Sequence, residues 1–82
     1  MSRAAKILGR FNAGSSLTFA DLVYLAEALG FILARQRGSH RIYRHAPTGR
    51  QLNLQPDGKD AKPYQRAQLR AIIAEESLRL DD

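Results

Sequence analysis

The chain has 82 residues, which is enough for one domain and excludes a second independent core. Hydrophobic residues make up 44% of it and charged residues 26%, the composition of a folded globular protein rather than a disordered one. Thirteen Lys and Arg against eight Asp and Glu give a net charge of +5, which favours a polyanionic partner, while the lack of cysteine excludes disulfides and thiolate metal sites.

The first 16 residues are predicted to be an N-terminal extension, followed by a single domain over residues 17–80. Within the extension, residues 3–11 are compatible with a short helix and residues 12–16 with a loop. Its apolar runs are too short for a signal peptide, and no stretch of the chain approaches the ~20 apolar residues of a membrane span. We therefore expect a soluble cytoplasmic protein without a membrane partner.

A helix is predicted over residues 18–29. Thr18 followed by Asp21 is typical of a helix N-terminus, because each can satisfy a main-chain N–H of the first turn. Leucines then recur at helical spacing, and Gly30 is a typical residue just beyond a helix end.

Two strands joined by a tight turn are predicted next, over residues 31–37 and 40–46. Gly38-Ser39 suits a type II′ hairpin turn, which places Arg37 opposite His40. Because strand side chains alternate, one face is expected to carry Phe31, Leu33, Arg35, Arg37, His40 and Ile42.

The same register places a charged residue on the partly apolar face at the end of the hairpin away from the turn. Arg44 falls opposite Leu33 on the partly apolar face, so either its stem is buried with the charge reaching solvent, or the register slips. Tyr43, beside Arg41, and His45 are expected on the solvated face.

A third strand over residues 50–55 follows the turn at residues 47–49, with Leu52 and Leu54 pointing inward. Pro63 is well placed as the first residue of a last helix, whose apolar stripe is formed by Leu69, Ile72 and Ile73. The predicted fold class is α+β, a two-layer α-β-β-β-α sandwich. Its three-stranded antiparallel sheet has the helices on one face.

The positive charge is concentrated in residues 31–62, where seven Lys and Arg face two Asp for a net charge of +5. These cations are spaced along strands and loops, which indicates a folded basic surface rather than a basic tail. No glycine-rich phosphate loop or nucleophile elbow is present. A metal site is not expected, because His40 and His45 fall on opposite faces of one strand, and no cofactor is predicted.

His40 is the candidate for chemistry, at the hairpin corner opposite Arg37 and on the same face as Arg35. An imidazole that titrates near neutral pH suits acid or base catalysis of RNA strand scission, and guanidinium groups suit the phosphate. The simpler interpretation is that a histidine beside a turn is only an exposed polar residue.

The other candidates also have two interpretations each. Tyr43 suits stacking on a base, and equally suits ordinary strand packing. Lys59 and Lys62 precede a helix whose dipole they oppose, which favours a bound phosphate nearby, the alternative being simple solvation of the loop.

The segment from Gly30-Phe31 through Gly38-Ser39-His40 to His45 resembles the core motif of HicA toxins, the small mRNA interferases of bacterial HicAB toxin–antitoxin pairs. Residues 52–56 and 61–65 resemble a branch of the same family, so the similarity covers about residues 17–75. The resemblance implies a fold like that of a double-stranded-RNA-binding domain and ribonuclease activity on mRNA. It also implies that His40 is catalytic and that a HicB antitoxin covers the site.

The hypothesis is thus a toxin that acts as a metal-independent mRNA endoribonuclease, with His40 as general acid or base. Its proposed RNA and phosphate contacts are Arg35, Arg37, Ser39, Arg41, Tyr43, Lys59 and Lys62. The alternatives are a non-catalytic RNA-binding module using the same surface and a basic interaction protein for an acidic partner. Only the enzyme produces cleaved RNA, and only the last alternative lacks RNA affinity at low salt.

Overall fold

The computed structural model describes residues 1–81, with three helices and one three-stranded sheet. The elements in chain order are α1 (Arg3–Asn12), α2 (Phe19–Ala28), β1 (Phe31–Arg37), β2 (His40–His45), β3 (Arg50–Leu54) and α3 (Pro63–Glu76). The strands form an antiparallel meander in the order β1-β2-β3. The predicted α+β class is confirmed. None of the helices in residues 1–81 combines the length and the hydrophobicity needed to cross a membrane.

The N-terminus of α2 has the predicted cap. The Asp21 N–H donates to Thr18 Oγ1 at 3.0 Å, and the Thr18 N–H donates to Asp21 Oδ2 at 3.3 Å. Leu17 and Leu22, on either side of the cap, are both buried in the core, as in a hydrophobic staple. The helix therefore starts where its own sequence satisfies the free main-chain donors.

A bulge in β1 changes the predicted pairing of the hairpin. Near the turn the register is as predicted, with Arg37 opposite His40 and Arg35 opposite Ile42, but Leu33 then pairs with Tyr43 rather than with Arg44. The slipped register, one of the two alternatives, is the one that forms, and one extra residue of β1 is accommodated at Ala34.

The bulge allows Phe31 and Arg37 to lie on opposite faces of the sheet. Phe31 and Arg37 are six residues apart, so in a regular strand both side chains would lie on the same face of the sheet. One inserted residue lets Phe31 enter the core while Arg37 faces solvent. The prediction that Phe31 shares a face with Arg35 and Arg37 is therefore wrong.

The core lies between the sheet and the three helices. Leu52 and Leu54 point inward from β3, as predicted, and meet Leu69 and Ile72 of α3. The core side chains, buried and in mutual contact, are Ile7, Phe11, Leu17, Phe19, Leu22, Leu25, Ala26, Leu29, Phe31, Tyr43, Leu52, Leu54, Leu69 and Ile72. The opposite face of the sheet carries no helix in the described chain and is open to solvent.

Helix α1 packs into this same core. Its Ile7 and Phe11 side chains are buried, and the end of the helix is bound by two arginines of α3. Arg66 and Arg70 donate to the Phe11 carbonyl at 3.2 and 3.3 Å, and both guanidinium groups lie over the Phe11 ring. Cations are favourable at a helix C-terminus, so the pair joins α1 to α3. The segment predicted as an extension thus contributes to the core.

The outer edge of β3 is covered by a side chain of α3. Gln68 Oε1 accepts from the Asn53 N–H at 2.7 Å, and Gln68 Nε2 donates to the Asn53 carbonyl at 2.9 Å. The amide of one glutamine thus replaces the partner residue that a further strand would supply. Such cover satisfies polar main-chain groups that an edge strand otherwise leaves unpaired.

Candidate functional site

The hairpin turn fixes the position of His40. Gly38 has φ +60° and Ser39 does not have a positive φ, which is the combination of a type II′ turn. Gln36 Nε2 donates to the Gly38 carbonyl at 3.1 Å and braces the turn. His40 begins β2 directly opposite Arg37, so its side chain is placed by a rigid element rather than by a mobile loop.

The open face of the sheet carries the predicted catalytic histidine and its cations. His40, Arg35 and Arg37 are exposed, and with Gln36 and Ile42 they line a shallow depression of about 470 Å³. Among residues 1–81 no carboxylate pairs with Arg35 or Arg37. The depression therefore presents uncompensated positive charge beside an imidazole, an arrangement suited to a phosphate group.

Tyr43 and His45 lie on the opposite face, so their predicted places on the solvated face are wrong. Tyr43 is only 3% exposed and pairs with Leu52, inside the core. His45 is 7% exposed, and its Nδ1 is hydrogen-bonded to Thr48 Oγ1 at 2.8 Å. Tyr43 shares the inward face of its partner Leu52, and the bulge in β1 brings Phe31 to that same face. Neither side chain is accessible to RNA, which removes Tyr43 from the candidate contacts.

Arg41 lies on the helix-facing side together with Tyr43, and not on the open face as predicted. Its guanidinium group is 5.5 Å from the centre of the Phe19 ring, a cation–π distance. Its Nε atom is buried and has no hydrogen-bond partner within the part of the chain that the structure describes. Arg41 is thus separated from Arg35 and Arg37 by the sheet, although it reaches the rim near His40.

The remaining predicted contacts, Ser39, Lys59 and Lys62, are dispersed over the surface. Ser39 occupies the turn next to His40. Lys59 is exposed in the loop before α3, and its carbonyl accepts from the Phe19 N–H at 2.7 Å. Lys62 is partly buried at the N-cap position of α3, and its Nζ is 3.9 Å from Asp57 Oδ2. In the described part of the chain both lysines lie outside the lining of the His40 depression.

Arg50, one of the cations counted in the basic segment, is neutralised. Its guanidinium group binds Glu76 and Glu75 at the end of α3, with both N···O distances 2.9 Å. The hydrogen bonds to Glu76 and then Glu75 raise the pKa of Arg50 above its ordinary value. By contrast, Arg35 and Arg37 near the hairpin turn, and the exposed Arg44, have no such ion pair among residues 1–81.

A second depression adjoins His40 and contains residues that the sequence patterns did not single out. It measures about 280 Å³ and is lined by His40, Arg41, Ile42, Asn53, Leu54, Gln55 and Tyr64. Tyr64 belongs to α3, far from His40 in the chain, so no local pattern could have joined them. His40 lines both depressions.

Metal-ligating side chains are not clustered in the described chain. Among residues 1–81 there is no group of three or more His, Cys, Asp or Glu that could hold a metal ion. The charged and titratable side chains that line the first depression are one imidazole and two guanidinium groups.

One comparison with known proteins identifies a relationship. The model of the family described as "HicA toxin of bacterial toxin-antitoxin" matches residues 19–75, more than half of the chain. No curated protein and no solved structure matches the chain.

Proposed function

The chain belongs to the HicA toxin family, and on that premise we propose that it is an mRNA endoribonuclease in which His40 acts as general acid or base. The family consists of toxins of bacterial toxin–antitoxin systems, which supports a toxin role. The observation that carries the proposed chemistry is the depression on the open face, where His40 stands opposite Arg37 and beside Arg35.

Strand scission without a metal needs two proton transfers. The 2′-hydroxyl loses a proton as its oxygen attacks the adjacent phosphorus, and the 5′-oxygen gains a proton as its bond to phosphorus breaks. The products are a 2′,3′-cyclic phosphate and a 5′-hydroxyl. A histidine has an ordinary pKa of about 6.5, so it is suited to either transfer near neutral pH.

Arg35 and Arg37 would stabilise the negative charge that develops during this reaction. Negative charge accumulates on the phosphoryl oxygens as the 2′-oxygen attacks, and fixed guanidinium groups stabilise that charge more than they stabilise the ground state. Arg37 is directly across from His40 in the hairpin, so phosphate and imidazole would meet at one place. Ser39, in the turn between them, is a further candidate for a phosphate contact. Lys59 and Lys62 would act at longer range, guiding the RNA backbone.

The proposed neutralising partner is a HicB-like antitoxin that covers the His40 face. The site lies on an open sheet surface rather than in a deep cleft, so one protein surface can cover it completely. RNA and antitoxin would then compete for the same residues.

The test is cleavage of a purified RNA by wild-type protein and by His40→Ala, purified identically and assayed in excess EDTA. General acid–base catalysis contributes about 10²–10⁴-fold, so His40→Ala should lower the cleavage rate by about that factor while RNA affinity stays largely intact. Because His40 is exposed, replacing it by Ala should not unfold the protein, so a lower cleavage rate would not be due to unfolding. Thermal melts of both proteins check this.

Three results would contradict the proposal. Equal cleavage by His40→Ala would exclude His40 from catalysis, and cleavage that disappears in EDTA and returns with Mg²⁺ would exclude the metal-independent mechanism. RNA binding without any product, by the wild-type protein, would identify a non-catalytic RNA-binding module instead.

A further inference from the structure

Tyr64 is an exposed aromatic side chain in the same depression as the proposed catalytic residue. It lies in the first turn of α3, is 61% exposed and lines the second depression together with His40 and Asn53. A large aromatic side chain this exposed contributes little to the core. Aromatic rings on nucleic-acid-binding surfaces characteristically stack on bases.

The Tyr64 hydroxyl is held by the core. It accepts a hydrogen bond from Gln65 Nε2 at 3.3 Å, and the same nitrogen donates to the Gln55 carbonyl at 2.6 Å. Gln65 is fully buried, so it is a fixed support. A ring restrained in this way loses less conformational freedom when a ligand binds than a free ring does.

The two depressions that meet at His40 differ in chemistry. The first contains the guanidinium groups of Arg35 and Arg37, which suit a phosphate. The second contains the amides of Asn53 and Gln55 beside the Tyr64 ring, which suit the edge and the face of a nucleobase. A nucleotide offers both parts, a charged phosphate and a flat base, within one unit.

We propose that Tyr64 and Asn53 form a base-binding subsite for the nucleotide adjacent to the phosphate held at His40. The ligand is a nucleobase of single-stranded RNA, stacked on the Tyr64 ring with its edge toward the Asn53 amide. The inference rests on the proposed ribonuclease function and adds to it the place where the enzyme contacts a base.

The experiment measures binding of a fluorescein-labelled RNA oligonucleotide by anisotropy, with His40→Ala present in every protein to prevent cleavage. Loss of one stacked base corresponds to about 5- to 150-fold weaker binding, so adding Tyr64→Ala should raise Kd by a factor in that range. Tyr64→Phe keeps the ring and should restore most of the lost affinity. Tyr24→Ala is the matched control, since Tyr24 is an exposed tyrosine on α2, against Arg3.

A second arm identifies the base. Wild-type protein maps the cleaved bond, and RNAs are then made with a single abasic nucleotide on either side of it. On one of these the Tyr64→Ala effect should disappear, because no base remains to stack. An unchanged Kd for Tyr64→Ala, a loss equal to that of Tyr24→Ala, or a loss equally large on both abasic RNAs overturns the subsite. Absence of wild-type cleavage contradicts the ribonuclease function, whereas cleavage with unchanged Tyr64→Ala binding contradicts the subsite alone.

Discussion

Gly30 connects α2 to β1 with a backbone conformation that other residues adopt only with strain. Its φ is +103°, and a Cβ atom placed there would lie 3.2 Å from two ring atoms of His45. The His45 ring in turn lies 5.3 Å from the Phe31 ring, centre to centre. The Gly-Phe helix exit and the second histidine of the segment thus form one packed unit, with a structural role for His45.

We predict that Gly30→Ala destabilises the protein by about 1–3 kcal/mol, because the new side chain adds backbone strain and a close contact with His45. The measurement is urea unfolding followed by circular dichroism. Gly9→Ala is the control, because Gly9 lies in α1 and a Cβ atom added there would have no heavy atom of another residue within 4 Å, apart from its own helix backbone and chain neighbours. It should stabilise the protein by about 0.5–1 kcal/mol through its higher helix propensity. Equal effects of the two substitutions would contradict this explanation.

Side chains of α3 organise the sheet from outside the strands. Gln68 covers the Asn53 main chain at the edge of β3, and Gln65 binds the Gln55 carbonyl just beyond the strand. The two glutamines are about one helical turn apart, so they lie on the same side of α3 and reach neighbouring positions at the strand end. Helix and strand are therefore joined by directional hydrogen bonds in addition to the packing of Leu69 against the core.

Replacing Gln68 by Ala should leave both polar main-chain groups of Asn53 without their protein partner. We expect a loss of about 1–2 kcal/mol in the free energy of unfolding, since the edge is partly reached by water. Gln51→Ala, which removes an exposed glutamine from the same strand, should change stability by less than about 0.5 kcal/mol. Thermal and urea unfolding of the two variants provide the comparison. Equal stability would show that water replaces the Gln68 amide at no cost.

At the scale of the whole molecule, the basic residues fall into two groups, those bound within the fold and those without an ion pair on its surface. Arg50 is matched by Glu75 and Glu76, and Arg66 and Arg70 bind the end of α1. The cations around the hairpin turn keep their charge available. Basic residues that are bound within the fold thus contribute to its stability, while those around the hairpin turn are available to a proposed polyanion.

This division predicts which arginines control RNA binding. Arg37→Ala, made in the His40→Ala protein, should weaken binding and lower the magnitude of the log–log salt slope by about 0.7, the value for one single-strand phosphate contact. Arg79→Ala changes the net charge equally at an exposed position after α3 and should leave the slope unchanged. Titrations at several salt concentrations measure both. If the two variants shift the slope alike, the binding depends on net charge and not on the hairpin surface.

The sequence alone was enough to predict the elements and the pairing of His40 with Arg37 across the hairpin, because these depend on local chemistry. Thr18 and Asp21 define a helix start, Gly38-Ser39 defines a tight turn, and the turn determines that Arg37 faces His40. The alternating leucines of β3 likewise indicate its inward face. Each of these features involves residues close in the chain, whose geometry is restricted before any tertiary contact forms.

Tertiary structure decided which face each side chain occupies beyond the turn and which distant residues meet. Alternation placed Tyr43 on the face opposite His40 but could not show that this face is the buried one. The pairing of Tyr43 with Leu52 and the bulge that buries Phe31 decide it. Burial energy is gained by the whole sheet at once, so a single strand's alternation cannot reveal where it will be broken. The placement of Tyr64 and His40 in one depression, and the binding of α1 by the arginines of α3, likewise depend on how the helices pack on the sheet.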